Sequence, residues 1–294
     1  MSTGAHAAET DDDIAAVIAL REQLEPFTAT TVADQRVFLS QAEAPLLLVE
    51  PAVAYAQVMR FANERDASID IGVVPQARGR GLGSELLRRL EGHARVHGWE
   101  SLLASASTEE GIEWLRRRGY EEIDRQERVV LELADTPAAT RVEGPSGVQL
   151  TDYASRPDLA GALHALIVEG LQDVPGSLAE DVPTLETWLG WQRAPSRRPD
   201  FLVIALDGGE PVGYAQLHVY PRVGYHGFTV VARSDRGRGI ARALKRELIR
   251  RATALGLERL LTNSNESNVA MRSLNAELGY RPAPPRVYLR RTLD

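Results

Sequence analysis

The sequence predicts an α/β chain of two related modules, each a twisted mixed sheet with helices on both faces. Three observations carry this reading. A glycine-rich turn running into an amphipathic helix occurs twice, as "ARGRGLGSELLRRL" at Ala77 to Leu90 and "DRGRGIARALKREL" at Asp235 to Leu248. Aligning Arg78 with Arg236 gives an offset of 158, and about twelve of the twenty-six positions from Arg78 to Leu103 are then identical, Gly79, Arg80, Gly81, Leu86, Gly98, Leu102 and Leu103 among them. A period this long marks duplicated domains, since solenoid repeats run to about 20–50 residues. Finally, "ADTPAATRVEGPSG", Ala134 to Gly147, mixes Pro, Gly, Thr and Ser without periodicity and reads as a linker. The predicted modules are residues 1–136 and 147–294.

In the first half, helices are expected near Ile14–Leu24 and Val32–Leu39. The strands "LLLV", "YAQVMRF" and "IDIGVV" follow, then the turn, its helix, the strand "SLLASA", a helix closing on Tyr120 and the strand "RVVLEL". In the second half, "LAGALHALIVEGL" has apolar residues at helical spacing, and Thr184 is a good N-cap for "TLETWLGWQ". "FLVIAL" suits a buried strand and "DGGE" a hairpin turn. "VGYAQLHVY" alternates, placing Tyr214, Gln216, His218 and Tyr220 on one face. "YHGFTVVA", the turn, the helix from Ile240, "RLLTNS", a helix closing on Tyr280 and "RVYLRR" complete the half. Strands and helices mixed in this order suggest a sheet covered on both faces.

Composition narrows the function. With 294 residues, 44% hydrophobic and 26% charged, the chain has the makings of about two globular domains. A net charge of −7 argues against broad binding to nucleic acid or anionic membrane. There is no cysteine, which excludes disulfides, thiolate metal sites and a cysteine nucleophile. The acidic N-terminal run has the wrong polarity for a secretory signal, and no apolar stretch approaches about 18 residues, so a cytoplasmic location is the expectation. Lys245 is the only lysine.

A strand feeding a glycine-rich turn that opens a helix makes an anion site. The first N–H groups of the helix lack internal partners, the helix dipole adds positive potential, and glycine lets a phosphate come close. Arg78, Arg80, Arg236 and Arg238 would add countercharge. Neither turn has the lysine of a P-loop, and neither completes the dinucleotide fingerprint. Both fit [RQ]-x-x-G-x-[GA]: Arg78-Gly79-Arg80-Gly81-Leu82-Gly83 and Arg236-Gly237-Arg238-Gly239-Ile240-Ala241.

On these residues the chain resembles the GNAT superfamily of acyl-CoA-dependent N-acyltransferases, over nearly its whole length and as two modules. The resemblance implies mainly antiparallel sheets, acetyl-CoA or another acyl-CoA as donor, and no metal. The turn would hold the pyrophosphate. The preceding bulged strand, Thr229-Val230-Val231 or Ile71-Gly72-Val73, would bond the pantetheine arm. Asn263 and Asn268 match the family's asparagines near that arm, whereas the first half offers only Thr108. The family's tyrosine acid falls on Asn275 in one half and Leu115 in the other. The second half is therefore expected to be catalytic and the first degenerate.

Candidate bases are His226, with Tyr225 beside it, and His218, because imidazole titrates near neutrality; each could equally be an ordinary strand residue. The acceptor, a small-molecule amine, is expected beside Asp173, Glu180, Asp181, Glu186, Trp188 and Trp191, with Tyr214 and Gln216 either lining the pocket or packing under a helix. Direct acetyl transfer, in a monomer or homodimer, is the leading reading. A non-catalytic CoA-binding scaffold, a mycothiol-synthase-like enzyme and an aminoacyl-tRNA-dependent transferase are the alternatives.

Overall fold

The computed structural model describes residues 4–61, 64–134, 142–173 and 182–293. It separates into two compact units, one made of Met1–Arg125 with Pro285–Asp294, the other of Gln126–Pro284. The expected division at the linker is corrected by this partition. The strand "RVVLEL", assigned from sequence to the first module, lies in the second unit, and the chain's last strand lies in the first. Residues 135–141 of the expected linker lie outside the described residues.

The first unit runs β1 (His6–Ala7), α1 (Asp11–Leu24), α2 (Val32–Gln41), β2 (Glu43–Glu50), β3 (Ala54–Arg60), β4 (Ala67–Val73), α3 (Leu82–Val96), β5 (Ser101–Ala106) and α4 (Glu109–Arg116). The long β6 (Glu121–Glu132) begins here and finishes in the second unit. That unit continues through β7 (Val148–Asp152), α5 (Ala160–Leu171), α6 (Leu185–Trp191), β8 (Leu202–Asp207), β9 (Glu210–Val219), β10 (Val223–Val231), α7 (Ile240–Leu255), β11 (Arg259–Asn265) and α8 (Val269–Glu277). The last strand, β12 (Arg281–Thr292), starts there and returns to the first unit.

The strand order is β1-β2-β3-β4-β5-β12 in the first unit and β6-β11-β10-β9-β8-β7 in the second. Each sheet is antiparallel except for one parallel pair, β4 with β5 and β10 with β11. A parallel pair needs a crossover, which α3 and α7 supply. The exchanged ends complete the sheets: Val287–Thr292 pair with β5, and Gln126–Glu132 pair with β11.

Local chemistry explains the elements. A capping box between Thr10 and Asp13 opens α1, and Thr108, Thr184 and Asn268 cap α4, α6 and α8. In α3, Leu86, Leu87, Leu90 and Ala94 form a buried stripe against the sheet residues Ala56, Ile69 and Ala104. On the opposite face α1 packs Ile14, Val17 and Ile18 against Leu47, Val49 and Tyr55. The second unit repeats this plan, with α7 on one face and α5 and α6 on the other.

Each parallel ladder is short. It ends at Ile69–Ala104 in the first unit and at Tyr225–Leu261 in the second. Beyond those pairs the strands part, leaving facing backbone edges without a ladder across the gap. The gap opens beside the start of the crossover helix, so each unit places an unpaired strand edge next to a helix N-terminus. A bulge follows the parting only in β10, between His226 and Thr229; β4 keeps regular register with β3.

Candidate active site

Both turns have the same backbone. Gly79 and Gly81 have φ of 75° and 85°, and Gly237 and Gly239 have 77° and 82°. These left-handed values favour glycine, because a Cβ there crowds the following carbonyl. Gly81 and Gly239 are N-caps without a side-chain cap, so the first N–H groups of α3 and α7 face outward. A Cβ at Gly79, Gly81 or Gly237 would meet nothing within 4 Å, so open space lies where an anion would sit. These observations fit a diphosphate.

The turn arginines do something other than supply loose countercharge. Arg78 Nε donates to the Val73 carbonyl at 3.2 Å, and Arg236 Nε to the Val231 carbonyl at 3.1 Å, so each pins its turn to the preceding strand. Arg78 also pairs with Glu110, and Arg236 with Asp173, at 2.7 Å each. Arg238 pairs with Asp207 at 2.8 Å and with Asp235, and neither it nor Arg80 lines the cavity beside its own turn.

The second unit's cavity has a volume of about 480 Å³. Thr229, Val230, Val231, Arg236, Gly237, Gly239, Ile240, Ala241 and Asn268 line it, as expected of donor-binding residues. Asn268 also caps α8, accepting from Met271 N–H at 3.1 Å. The expected catalytic residues are not at this cavity. His226 is 2% exposed, and neither ring nitrogen finds a hydrogen-bond partner among the described residues. Its ring lies 6.0 Å from that of Tyr280, and Lys245 Nζ lies 5.4 Å from the Tyr280 centroid. Burial, then Lys245 and His218, push its pKa well below the ordinary imidazole value. A base so placed, in the core under α7, cannot meet an acceptor. His218 is also pushed well down, by burial and then by Arg197. The Tyr225 hydroxyl donates to Asn263 Oδ1, and Asn263 Nδ2 donates to Gln126 Oε1, so Asn263 braces the strand gap and does not line the cavity.

The expected acceptor residues divide similarly. Tyr214 and Trp188, 1% and 2% exposed, belong to the core beneath α5 and α6. Buried Gln216 donates to Gln192 at 2.5 Å. Asp173 lines the cavity but is held at its turn end by Arg233 and Arg236. Glu180 and Asp181 lie outside the described residues.

The first unit's cavity is larger, about 540 Å³, and is continuous from turn to strand gap. Ile71, Gly72, Val73, Arg78, Gly79, Gly81, Leu82 and Gly83 line its outer half, as expected. Its inner end is formed by residues the sequence reading did not single out: Arg21, Tyr55, Asp70, Ser105 and Arg286. Arg21, 8% exposed, donates from Nε to Asp70 and from Nη2 to Gln57, both at 2.9 Å. The Tyr55 hydroxyl donates to the other Asp70 oxygen at 3.1 Å. Asp70 keeps 40% side-chain exposure, which leaves a fixed carboxylate open to the cavity. At the outer end Arg118 stacks 3.8 Å above Trp114 and donates to Ser84 Oγ at 2.7 Å, setting a cation beside the helix start. One signal for Asp70 was visible in the sequence: a lone carboxylate inside the apolar strand "IDIGVV". Arg286 carried none, because its place depends on the exchanged strand.

Among the described residues no group of three His, Cys, Asp or Glu side chains could hold a metal, and no helix is long and apolar enough to cross a membrane.

Comparison with known proteins agrees with this geometry. No curated protein sequence matches the chain. In fold it is similar to a GCN5-related N-acetyltransferase from Sphaerobacter thermophilus, with 23% identity, a TM-score of 0.70, and 98% of this chain and 96% of that one covered. It is also similar to a tandem GNAT protein from the clavulanic acid biosynthesis pathway, with 20% identity, a TM-score of 0.77, and 99% of both chains covered. A glucosamine N-acetyltransferase region of a fungal multi-domain β-N-acetylglucosaminidase matches 97% of this chain and 38% of that one, at 14% identity and a TM-score of 0.68. The model of the acetyltransferase (GNAT) family matches residues 3–120 and again 167–280, once over each glycine-rich turn. With a family match on both halves and two such turns built alike, the chain belongs to the GNAT acetyltransferase family.

Proposed function

We propose that the protein transfers an acetyl group from acetyl-CoA to the amine of a small molecule, directly and within the first unit. The observation that carries this reading is the continuity of one cavity from the N–H groups at Gly81, along the parted edge of β4, to Asp70. The sequence favoured the second half for its asparagines, but the geometry favours the first. The second cavity has the same diphosphate cradle and, among the described residues, no comparable carboxylate at its inner end, so we assign it donor binding without turnover.

The chemistry follows from the residues present. A thioester supplies an activated acyl carbon, and the amine must attack it unprotonated. Asp70, held by Arg21 and Tyr55, attracts an ammonium ion and accepts its proton directly or through water. Backbone N–H groups on the parted edges of β4 and β5 are positioned to stabilise charge on the carbonyl oxygen. Leu115 fills the position of the family's tyrosine acid, so the leaving thiolate takes its proton from water; a thiol pKa of about 8.5 makes that tolerable.

The test is calorimetry with coenzyme A, followed by release of free thiol from acetyl-CoA with a panel of amines. Uptake of coenzyme A and amine-dependent thiol release are expected. Absence of uptake at millimolar ligand refutes the assignment of both turns. Uptake without release for any amine favours a non-catalytic CoA-binding protein.

A further inference from the structure

Resting on the acyl-CoA reading of the first cavity, we infer that Arg118, stacked on Trp114, forms a subsite for the 3′-phosphate of the donor nucleotide, so that the first unit selects coenzyme A over its dephospho form. Arg118 follows the end of α4, is half-buried, and lines the outer part of the cavity. The indole, 3.8 Å away, sets the plane of the guanidinium. Nη1 donates to the Trp114 carbonyl at 2.8 Å and Nη2 to Ser84 Oγ at 2.7 Å. Both acceptors are neutral, and among the described residues no carboxylate pairs with Arg118 and its other N–H groups have no partner. Glu91, whose field reaches Arg118, is itself bonded to Arg291 at 2.6 Å. By contrast, Arg78 in the same cavity is paired with Glu110 at 2.7 Å and Arg21 with Asp70 at 2.9 Å. Arg118 is thus a fixed, partly desolvated cation facing a cavity with donors to spare.

The chemistry of the donor says which anion meets it. An acyl-CoA with its thioester at the strand gap and its diphosphate at Gly81 carries its nucleotide end beyond the cradle, and the anion on that end is the phosphomonoester of the ribose. A guanidinium is the side chain whose fork matches phosphate oxygens. The diphosphate itself does not call for Arg118, because the second unit builds the same cradle without it. Aligning Tyr120 with Tyr280, the residues that close the two late helices, sets Leu274 against Trp114 and Leu278 against Arg118. Aligning the two turns sets Arg242 against Ser84. Arg242 lines the second cavity, but Glu277 neutralises it at 2.7 Å, as Asp173 neutralises Arg236 there. The selection therefore belongs to the first unit alone.

The experiment titrates coenzyme A and dephospho-coenzyme A into the full-length protein and into its Gly239→Glu variant, whose second cradle is filled, so that the first site is read by itself. The first site is expected to bind coenzyme A about tenfold or more tightly than the dephospho form. Arg118→Gln is expected to weaken coenzyme A by that factor and to leave the dephospho form unchanged, bringing the ratio close to one. Arg118→Lys is expected to restore part of the preference. Affinity for the dephospho form reports in each variant that the cradle is intact. In the chain that keeps Gly239, Arg118→Gln is expected to change one of the two sites only, so the test stands even if Gly239→Glu fails to fold. Equal affinity for the two forms, or a preference that survives Arg118→Gln, overturns the subsite. Equal weakening of both forms by Arg118→Gln assigns the arginine to the diphosphate or to the fold and overturns it as well. Failure of both forms to bind at millimolar concentration refutes the acyl-CoA reading itself, so the two failures are distinct.

Discussion

Replacing Lys245 by leucine should stabilise the protein, by an amount that shrinks as pH rises. Lys245 is 1% exposed on the inward face of α7, and no carboxylate pairs with it among the described residues. At the offset of 158 its counterpart in α3 is Leu87, a core residue 4% exposed. Burial lowers the Lys245 pKa from 10.5 to about 7. A lowered lysine pKa means that the unfolded chain binds more protons than the folded one between those values. The penalty is therefore full below pH 7, and stability rises with pH until the penalty vanishes near 10.5. At about 1.36 kcal/mol per unit, the gap amounts to about 5 kcal/mol at low pH and about 4 kcal/mol at pH 7. Leucine removes that penalty and restores the residue the duplicated helix uses. Urea unfolding of both proteins at pH 7, 8 and 9 measures the difference; it should fall by about 1.4 kcal/mol per pH unit. His226 titrates below this range, so it does not contribute to the slope. A difference that is constant with pH, or a leucine variant less stable at pH 7, refutes the reasoning.

The remaining predictions concern the two cavities and the exchanged strand. Gly81→Glu should abolish turnover, since it places a carboxylate in the cradle and strains a left-handed backbone by about 1–2 kcal/mol; Gly239→Glu should remove one coenzyme A per chain in calorimetry and spare turnover. Equal loss of turnover from both would refute the division of labour between the units. Asp70→Asn should lower kcat by about 10²–10⁴-fold in steady-state assays with little change in coenzyme A affinity; an unchanged kcat removes Asp70 as proton acceptor. Deleting residues 285–294 should destabilise the first unit selectively. Val287 and Leu289, both fully buried in its core, alone account for about 3–6 kcal/mol of burial. Limited proteolysis should then cut within residues 1–125 first, and uniform cleavage across the chain would contradict the partition.

What the sequence made legible was local. The turns are written in six consecutive residues each, so their conformation, the helix that follows and the cavity beside them could be read directly, and Thr184 caps its helix as its position implied. Roles that depend on which face of a strand a side chain occupies were not legible in the same way. His226 looked like a base at the head of a strand, but it precedes the bulge and faces α7, where burial removes the protonation range a base needs. Asn275 was read only as a missing tyrosine. In the structure it is 1% exposed with both amide atoms unpartnered among the described residues, at the position of the core residue Leu115, beside a helix that also replaces Leu87 by Lys245.

That pattern reverses the argument from asymmetry. The sequence suggested that the half rich in polar residues was the half under chemical demand. In the structure the second unit's extra polar groups, His226, Lys245 and Asn275, are buried in the core, where unpaired polar atoms cost stability and no substrate reaches them. The first unit has an apolar core at Leu87 and Leu115 and keeps its charges at the strand gap instead. It also draws Arg286 from the opposite end of the chain. An isolated first half, ending near residue 136, would lack that arginine and one edge of the sheet that frames the gap. Duplication thus supplied the first cavity with a residue that neither half read alone would place there.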